Sequence, residues 1–165
     1  MANTSGSIMK TIFLILIYMF VASSILGQEL TKEQNIVAQT ILGEARGDGK
    51  RGMYAVACVI LERKLSKHWA NTAQGVCLQK SQFDYWTQHS RVKWDDQNRA
   101  NVRRLLQGNS ESAKYAKLLA INLTKLDRSF VKYADHYCTT DTHNYWTKGR
   151  KPLGVIGQHK FYKLR

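Results

Sequence analysis

The sequence predicts a mainly α domain of α+β type, closed by a small irregular or β-rich part at its C-terminal end. Three observations carry that prediction. Apolar residues recur at three- and four-residue spacing in successive segments from Ile36 onward, helix start and stop signals separate those segments, and the pattern changes beyond Phe130 to aromatics, histidines, turn residues and the only proline, Pro152.

Taken in order, the first helix runs from a start marked by Thr31, with Glu33 and Gln34 in its first turn and Ile36, Val37, Thr40 and Ile41 on its apolar face. It ends in Gly43-Glu44-Ala45-Arg46-Gly47-Asp48-Gly49, which puts Glu44 in the last turn and a glycine-rich turn after it. Met53, Val56, Ala57, Ile60 and Leu61 give a second helix that stops before Lys67 and His68, with Asp48 as its N-cap. The two helices are expected to pack with Glu44 at their junction. A loop carrying Trp69, Asn71 and Gly75 then leads through Val76-Cys77-Leu78 to Ser81-Gln82-Phe83-Asp84-Tyr85-Trp86. A third helix is expected over 96–106 and a fourth over 110–123, parted by Gly108-Asn109, with Ala113, Ala116, Lys117 and Ala120 at helical spacing in the fourth.

With 165 residues and 44% hydrophobic composition the chain suffices for one domain with a real core and not for two, and a monomer is expected. Residues 1–27 read as a signal peptide: Lys10 precedes the apolar run from Thr11 to Ala22, and small residues up to Gly27 offer a cleavage site before Gln28. An uncleaved anchor reaching through Leu26 is the alternative, although the run is short for a span of roughly 20 residues. The catalytic or binding domain is then 28–165, in a secreted, periplasmic or cell-envelope protein. Loss of Lys10 lowers the formal charge only from +13 to +12, so the domain should seek a polyanion. Nucleic acid, an anionic membrane face and bacterial cell wall would all satisfy that charge; export disfavours nucleic acid, and anionic wall polymers are further partners expected of the basic surface. Of the three cysteines, Cys58 lies in an apolar stretch as a small buried hydrophobe, while Cys77 with Cys138 is the pair to expect if a disulfide forms. No Cys-x-x-Cys is present, and no metal or other cofactor is expected.

Glu44 is the candidate for a catalytic acid. The negative end of a helix dipole and partial burial both disfavour its ionised form, raising its pKa toward a value that suits a general acid. Read blandly, the same glutamate would be a solvated last-turn residue paired to Arg46.

Four segments decide between these readings: Gly43-Glu44-Ala45-Arg46-Gly47, Ser81-Gln82-Phe83 with Trp86, Ala134-Asp135-His136-Tyr137, and Ile156-Gly157-Gln158-His159-Lys160-Phe161-Tyr162. In this order and spacing they resemble the SleB-type, spore cortex-lytic family of cell-wall hydrolases, over nearly all of the chain from Glu33 to Tyr162. The resemblance implies a variant of the lysozyme superfold, peptidoglycan glycan strands as substrate, and Glu44 as the essential residue. It further implies lytic transglycosylation between N-acetylmuramic acid and N-acetylglucosamine. Gln82, Phe83, Trp86, His136, Tyr137 and His159 become candidate substrate-binding residues: the amide for N-acetyl and hydroxyl groups, the aromatics as faces for sugar rings, the histidines to orient substrate or to fix the loop carrying Tyr137. Asp135 departs from the family pattern, where a small hydroxyl residue is commoner, as does the polar stretch from Cys138 to Thr147.

Ordinary glycosidases need two carboxylates. Asp48 and Glu62 have no distinctive setting, and Glu62 reads as a surface ion-pair member, so a second carboxylate would have to come from Asp84, Asp135 or Asp141 through folding. One carboxyl group suffices if the muramoyl C6 hydroxyl attacks the anomeric carbon. Arg46 beside the acid would lower its pKa and is expected to point away, toward Asp48 or a peptide carboxylate. Other outcomes are a muramidase-type hydrolase, a zinc amidase using His136, His143, His159 and Asp135 or Asp141, and a non-catalytic basic wall-binding module. No His-Glu-x-x-His supports the amidase.

Overall fold

Helix α1 (Lys32–Ala45) begins where Thr31 predicts it: the Thr31 hydroxyl accepts the Gln34 amide at 3.2 Å and the Gln34 side chain accepts the Thr31 amide at 2.9 Å, a closed capping box. The computed structural model describes residues 29–87 and 92–165, with the side chains of 92–94 outside that set. The segment read as a leader lies outside the described residues. Among the described residues no helix is long and apolar enough to cross a membrane.

After a 3₁₀ turn over Arg46–Asp48, α2 (Gly49–Leu65) runs through the middle of the domain. Its residues Ala55, Val56, Ala57, Cys58, Val59 and Ile60 are all buried, so this helix is wrapped on every side rather than along one stripe. A short α3 (Ala73–Leu78), capped by the Thr72 hydroxyl at the Gly75 amide, stands where a loop was expected; Thr72 was the missed start signal. The third predicted helix is α4 (Val92–Gln107), four residues longer at its start than expected, and α5 (Glu111–Ile121) is capped by Ser110 as Gly108-Asn109 suggested. Helix α1 packs against α2, α3, α4 and α5. Its buried face of Val37, Ala38, Ile41 and Leu42 therefore serves four neighbours.

The C-terminal part is a three-stranded antiparallel sheet in the order β1-β3-β2, made of β1 (His136–Thr139), β2 (Gly154–Ile156) and β3 (His159–Tyr162). Tyr137 pairs with Phe161, and Phe161 with Gly154. Strand alternation sends Tyr137, Phe161 and His159 to one face and His136, Cys138 and Tyr162 to the other. The first face meets α2, where Phe161 joins Ala55, Cys58, Val59, Val131 and Ala134 in a core cluster. The second face is covered by Trp146, packed edge-on against Tyr162 at 5.3 Å and tilted against His136 at 5.4 Å.

All three cysteines are buried free thiols, so the Cys77–Cys138 disulfide is not formed: one lies on α3 and the other on the strand face turned away from the helices. Cys58 is the small buried hydrophobe expected, its Sγ donating to the Asp127 carbonyl at 3.4 Å and its thiol pushed up to about 12 by burial. Glu62 is an ion-pair member but not a surface one; it is 8% exposed and held by Arg128 and by Lys163 at 2.7 Å.

Candidate active site

Glu44 sits half-buried in the last turn of α1, where the helix ends against the turn formed by 83–87. That turn is tied to α1 at three points. The Tyr85 amide donates to Glu44 Oε1 at 2.7 Å, the Tyr85 hydroxyl to Gln39 Oε1 at 3.0 Å, and the Trp86 indole to Thr40 Oγ1 at 2.8 Å. Gly43 makes the approach possible, because a Cβ there would overlap the Tyr85 ring. A local glycine and two helix residues one turn earlier thus deliver a backbone donor to the acid from more than forty residues along the chain.

The sheet supplies the other donor. From β1 the Tyr137 hydroxyl donates to Glu44 Oε2 at 2.9 Å. Each carboxyl oxygen therefore has one protein donor, and none of these donors is charged. Burial pushes the Glu44 pKa up to about 7, against the lowering effect of the Tyr85 and Tyr137 hydrogen bonds; Asp84 adds to the rise and Arg63 opposes it. The Tyr137 phenol itself is held well above its usual range by burial and by the Glu44 charge, so it stays a neutral hydroxyl, able to donate to a carboxylate and accept from a carboxylic acid.

Arg63 is a site residue the sequence reading missed. It is 3% exposed on α2, its Nε donates to the Asp135 carbonyl at 2.7 Å, and its guanidinium lies over Trp69 at 4.4 Å and Phe83 at 5.0 Å. Among the described residues, one guanidinium nitrogen, Nη1, and the Trp69 indole nitrogen are buried without a hydrogen-bond partner. The available signal was periodicity: Arg63 falls four residues after Val59 on a helix whose interior is otherwise apolar.

The other predicted residues divide. Trp86 is half-buried beside α1, with its indole nitrogen engaged by Thr40, and Gln82 is half-buried on the same segment, after Ser81 in the left-handed region at φ 59°. Phe83 is 2% exposed, which overturns its expected role as a sugar platform; it is core, under Arg63 and tilted against Tyr137 at 6.3 Å. His159, expected either to orient substrate or to fix the loop carrying Tyr137, is interior rather than open to substrate, being 6% exposed with Nδ1 2.7 Å from Asp48 Oδ2 and its ring edge-on to Tyr137 at 5.0 Å. His136 points to the opposite strand face from Tyr137, between Trp69 at 5.5 Å and Trp146 at 5.4 Å, and bonds Asp135. Of the six candidates around the acid, Tyr137 alone hydrogen-bonds Glu44.

Among the acidic residues, Asp48 occupies the N-cap position of α2 but its carboxylate does not cap the helix; it turns to β3 and accepts the Gln158 amide at 3.0 Å as well as His159. Asp135 is buried and paired away from Glu44, and Asp141 is exposed beside Thr139. Asp84, exposed on the turn that carries Tyr85, is the carboxylate whose charge reaches Glu44. Arg46 points away from the acid as expected, but its partners are the Leu42 carbonyl and Asn98 rather than Asp48. Among the described residues no three of histidine, cysteine, aspartate and glutamate gather as a metal site, and His136 and His159 lie on opposite faces of the sheet.

A family model described as Cell Wall Hydrolase matches residues 47–162, beginning three residues after Glu44. Comparison with curated proteins finds no match. Among solved structures, the catalytic domain of the germination-specific lytic transglycosylase SleB from Bacillus anthracis is 29% identical, with a TM-score of 0.58 over 83% of this chain and 98% of that one. The SleB catalytic domain from Bacillus cereus is 27% identical, with a TM-score of 0.55 over 83% of this chain and 94% of that one.

Proposed function

Because the chain belongs to the cell wall hydrolase family, we propose that it is a peptidoglycan-degrading enzyme that cleaves between N-acetylmuramic acid and N-acetylglucosamine as a lytic transglycosylase, with Glu44 as both acid and base. The observation that carries this reading is the setting of Glu44: a half-buried carboxyl group with one amide donor, one hydroxyl donor and a pKa pushed up to about 7. At neutral pH a large fraction of such a group holds its proton.

In the first step Glu44 gives that proton to the glycosidic oxygen as the bond to muramoyl C1 breaks, releasing the glucosamine-side chain and leaving an oxocarbenium-like centre. The Glu44 carboxylate then takes the proton of the muramoyl C6 hydroxyl while that oxygen bonds to C1. The product is a 1,6-anhydromuramoyl end, no water is consumed, and the acid is restored. Tyr137 and the Tyr85 amide hold the carboxyl group in one orientation through both transfers. The scarcity of other carboxylates facing the acid supports this route over one that activates water.

The muramidase reading keeps one supporting observation, the exposed Asp84 on the turn beside Glu44, which would serve as the second carboxylate. Export to the cell envelope and attraction of anionic wall polymers by the basic chain belong to the same proposal. Mass spectrometry of soluble products from purified peptidoglycan, with Glu44→Gln in parallel, tests it. Anhydromuramoyl ends that vanish in the variant are the expected result. Reducing muramic ends would move the assignment to a hydrolase with Asp84, and intact glycan with freed stem peptides would move it to an amidase.

A further inference from the structure

Asp48 occupies a place that neither helix capping nor catalysis explains. Its side chain lies in a niche walled by two glycines, since a Cβ added to Gly52 or to Gly157 would run into it, and Gly157 turns there at φ 58°. In that niche Oδ1 accepts the Gln158 amide at 3.0 Å and Oδ2 meets His159 Nδ1 at 2.7 Å, with both side chains under a tenth exposed. A buried aspartate at the start of α2 is thereby joined to a buried histidine at the start of β3, 111 residues later. Stability alone would be served as well by apolar residues of similar volume.

His159 leads to the acid. Its ring stands perpendicular to the Tyr137 ring at 5.0 Å and an interplanar angle of 89°, and Phe161 closes on Tyr137 from the same face at 5.8 Å. Tyr137 has one polar atom, and that atom donates to Glu44 Oε2. We propose that Asp48 and His159 are positioning residues for the acid: Asp48 fixes the His159 ring, the ring edge fixes Tyr137, and Tyr137 holds the Glu44 carboxyl group in its reactive setting. The chain Asp48, His159, Tyr137, Glu44 thus joins the first glycine-rich turn to the last strand hairpin across the catalytic carboxyl group. It rests on the reading of Glu44 as the acid, and it adds two residues that touch neither substrate nor the reacting atoms.

The other groups that face Glu44 do not depend on this chain. The Tyr85 amide comes from the 83–87 turn, the Asp84 charge from the same turn, the Arg63 charge from α2, and Cys77 on α3 stays a neutral thiol with its pKa pushed up to about 12. A change made at His159 should therefore reach Glu44 through Tyr137.

The experiment titrates Glu44 itself by side-chain carboxyl NMR, without substrate, in the wild type, Tyr137→Phe, His159→Ala, Asp48→Asn and the double variant Tyr137→Phe/His159→Ala, with glycan cleavage measured alongside. Losing the hydroxyl's hold removes a bond that favours the carboxylate, so Tyr137→Phe should raise the Glu44 midpoint by about one pH unit. His159→Ala should raise it by about half to one unit, Asp48→Asn by less, and the double variant by no more than Tyr137→Phe alone. In cleavage assays kcat should fall about tenfold in His159→Ala with KM within about twofold. A wild-type Glu44 midpoint in folded His159→Ala, or a double variant whose shift is the sum of the two singles, overturns the proposal. Should His159→Ala fail to fold, Asp48→Asn decides by the same criterion: an upward shift supports the chain and an unmoved midpoint refutes it. A wild type that cleaves no glycan strands counts against the proposed function and leaves the titration result standing by itself.

Discussion

Glu44 and Asp135 are carboxyl groups inside the same small domain, and their surroundings drive their pKa values in opposite directions. Asp135 is 1% exposed, yet it accepts the amides of Leu164 at 2.8 Å and Arg165 at 2.9 Å, and pairs with His136 at 2.8 Å and Lys163 at 3.7 Å. Burial opposes its charge, but the His136 bond and the two amides win and hold it at about 2. Glu44 has a single amide and a single hydroxyl and makes no ion pair among the described residues, and burial wins there at about 7. Burial alone settles neither case. The number and charge of the donors decide whether a buried carboxyl group becomes a fixed anion that ties the chain together or a proton carrier.

Glu44→Gln should break the comparison most severely, lowering glycan cleavage by on the order of a thousandfold or more, read from soluble product release. Asp135→Ala should instead cost about 3 kcal/mol of stability, because it strands His136 and two amides without their acceptor; chemical denaturation would show a midpoint drop larger than any loss in kcat. A third effect has the opposite sign. The folded pKa of Glu44 lies above the ordinary glutamate value of 4.5, so the stability linked to its proton is fully present below that value and lost as pH rises through about 7. Glu44→Gln should thus stabilise the protein by on the order of 2 kcal/mol above neutrality and by little in acid, visible as a Tm difference that grows with pH. For Asp135 the sign reverses: its folded pKa is depressed from 3.8, so its contribution is present above that value and lost as pH falls through about 2. Gly43→Ala should have the smallest effect, about 1–2 kcal/mol from overlap with the Tyr85 ring, and should lower activity more than so small a destabilisation predicts.

The helices and the place of Glu44 in the last turn of α1 are legible because their causes are local. The Thr31 capping box, the stripe of Ile36, Val37 and Ile41, the Ser110 cap and the glycine-rich stop after Glu44 are short-range signals, and each stands at its expected place. The short α3 and the early start of α4 are less legible, since α3 spans only six residues behind the single Thr72 cap and α4 opens four residues before Asp96. The partners of Phe83, His159 and Asp48 are not legible for another reason: a residue's type says what it offers a sugar ring, but whether it faces a cleft or the core depends on the partner that folding brings. Phe83 lies beneath Arg63, and His159 meets an aspartate 111 residues earlier. Tyr137 was found through its motif, although its role differs from the flat face expected, since its hydroxyl rather than its ring meets Glu44.

The three bonds that fasten the 83–87 turn to α1 have a consequence for how the protein fails on heating. A central helix and a short turn that joins the core through Phe83 and Tyr85 and is otherwise tethered by polar bonds do not open at the same cost. When the turn lets go, Glu44 loses its amide donor and gains water, and its proton affinity drifts toward that of an ordinary glutamate while the rest of the core is still intact. Inactivation should then precede melting, and the interval between the two temperatures measures how strongly three hydrogen bonds and one missing Cβ keep a carboxyl group acidic enough to work and reluctant enough to wait.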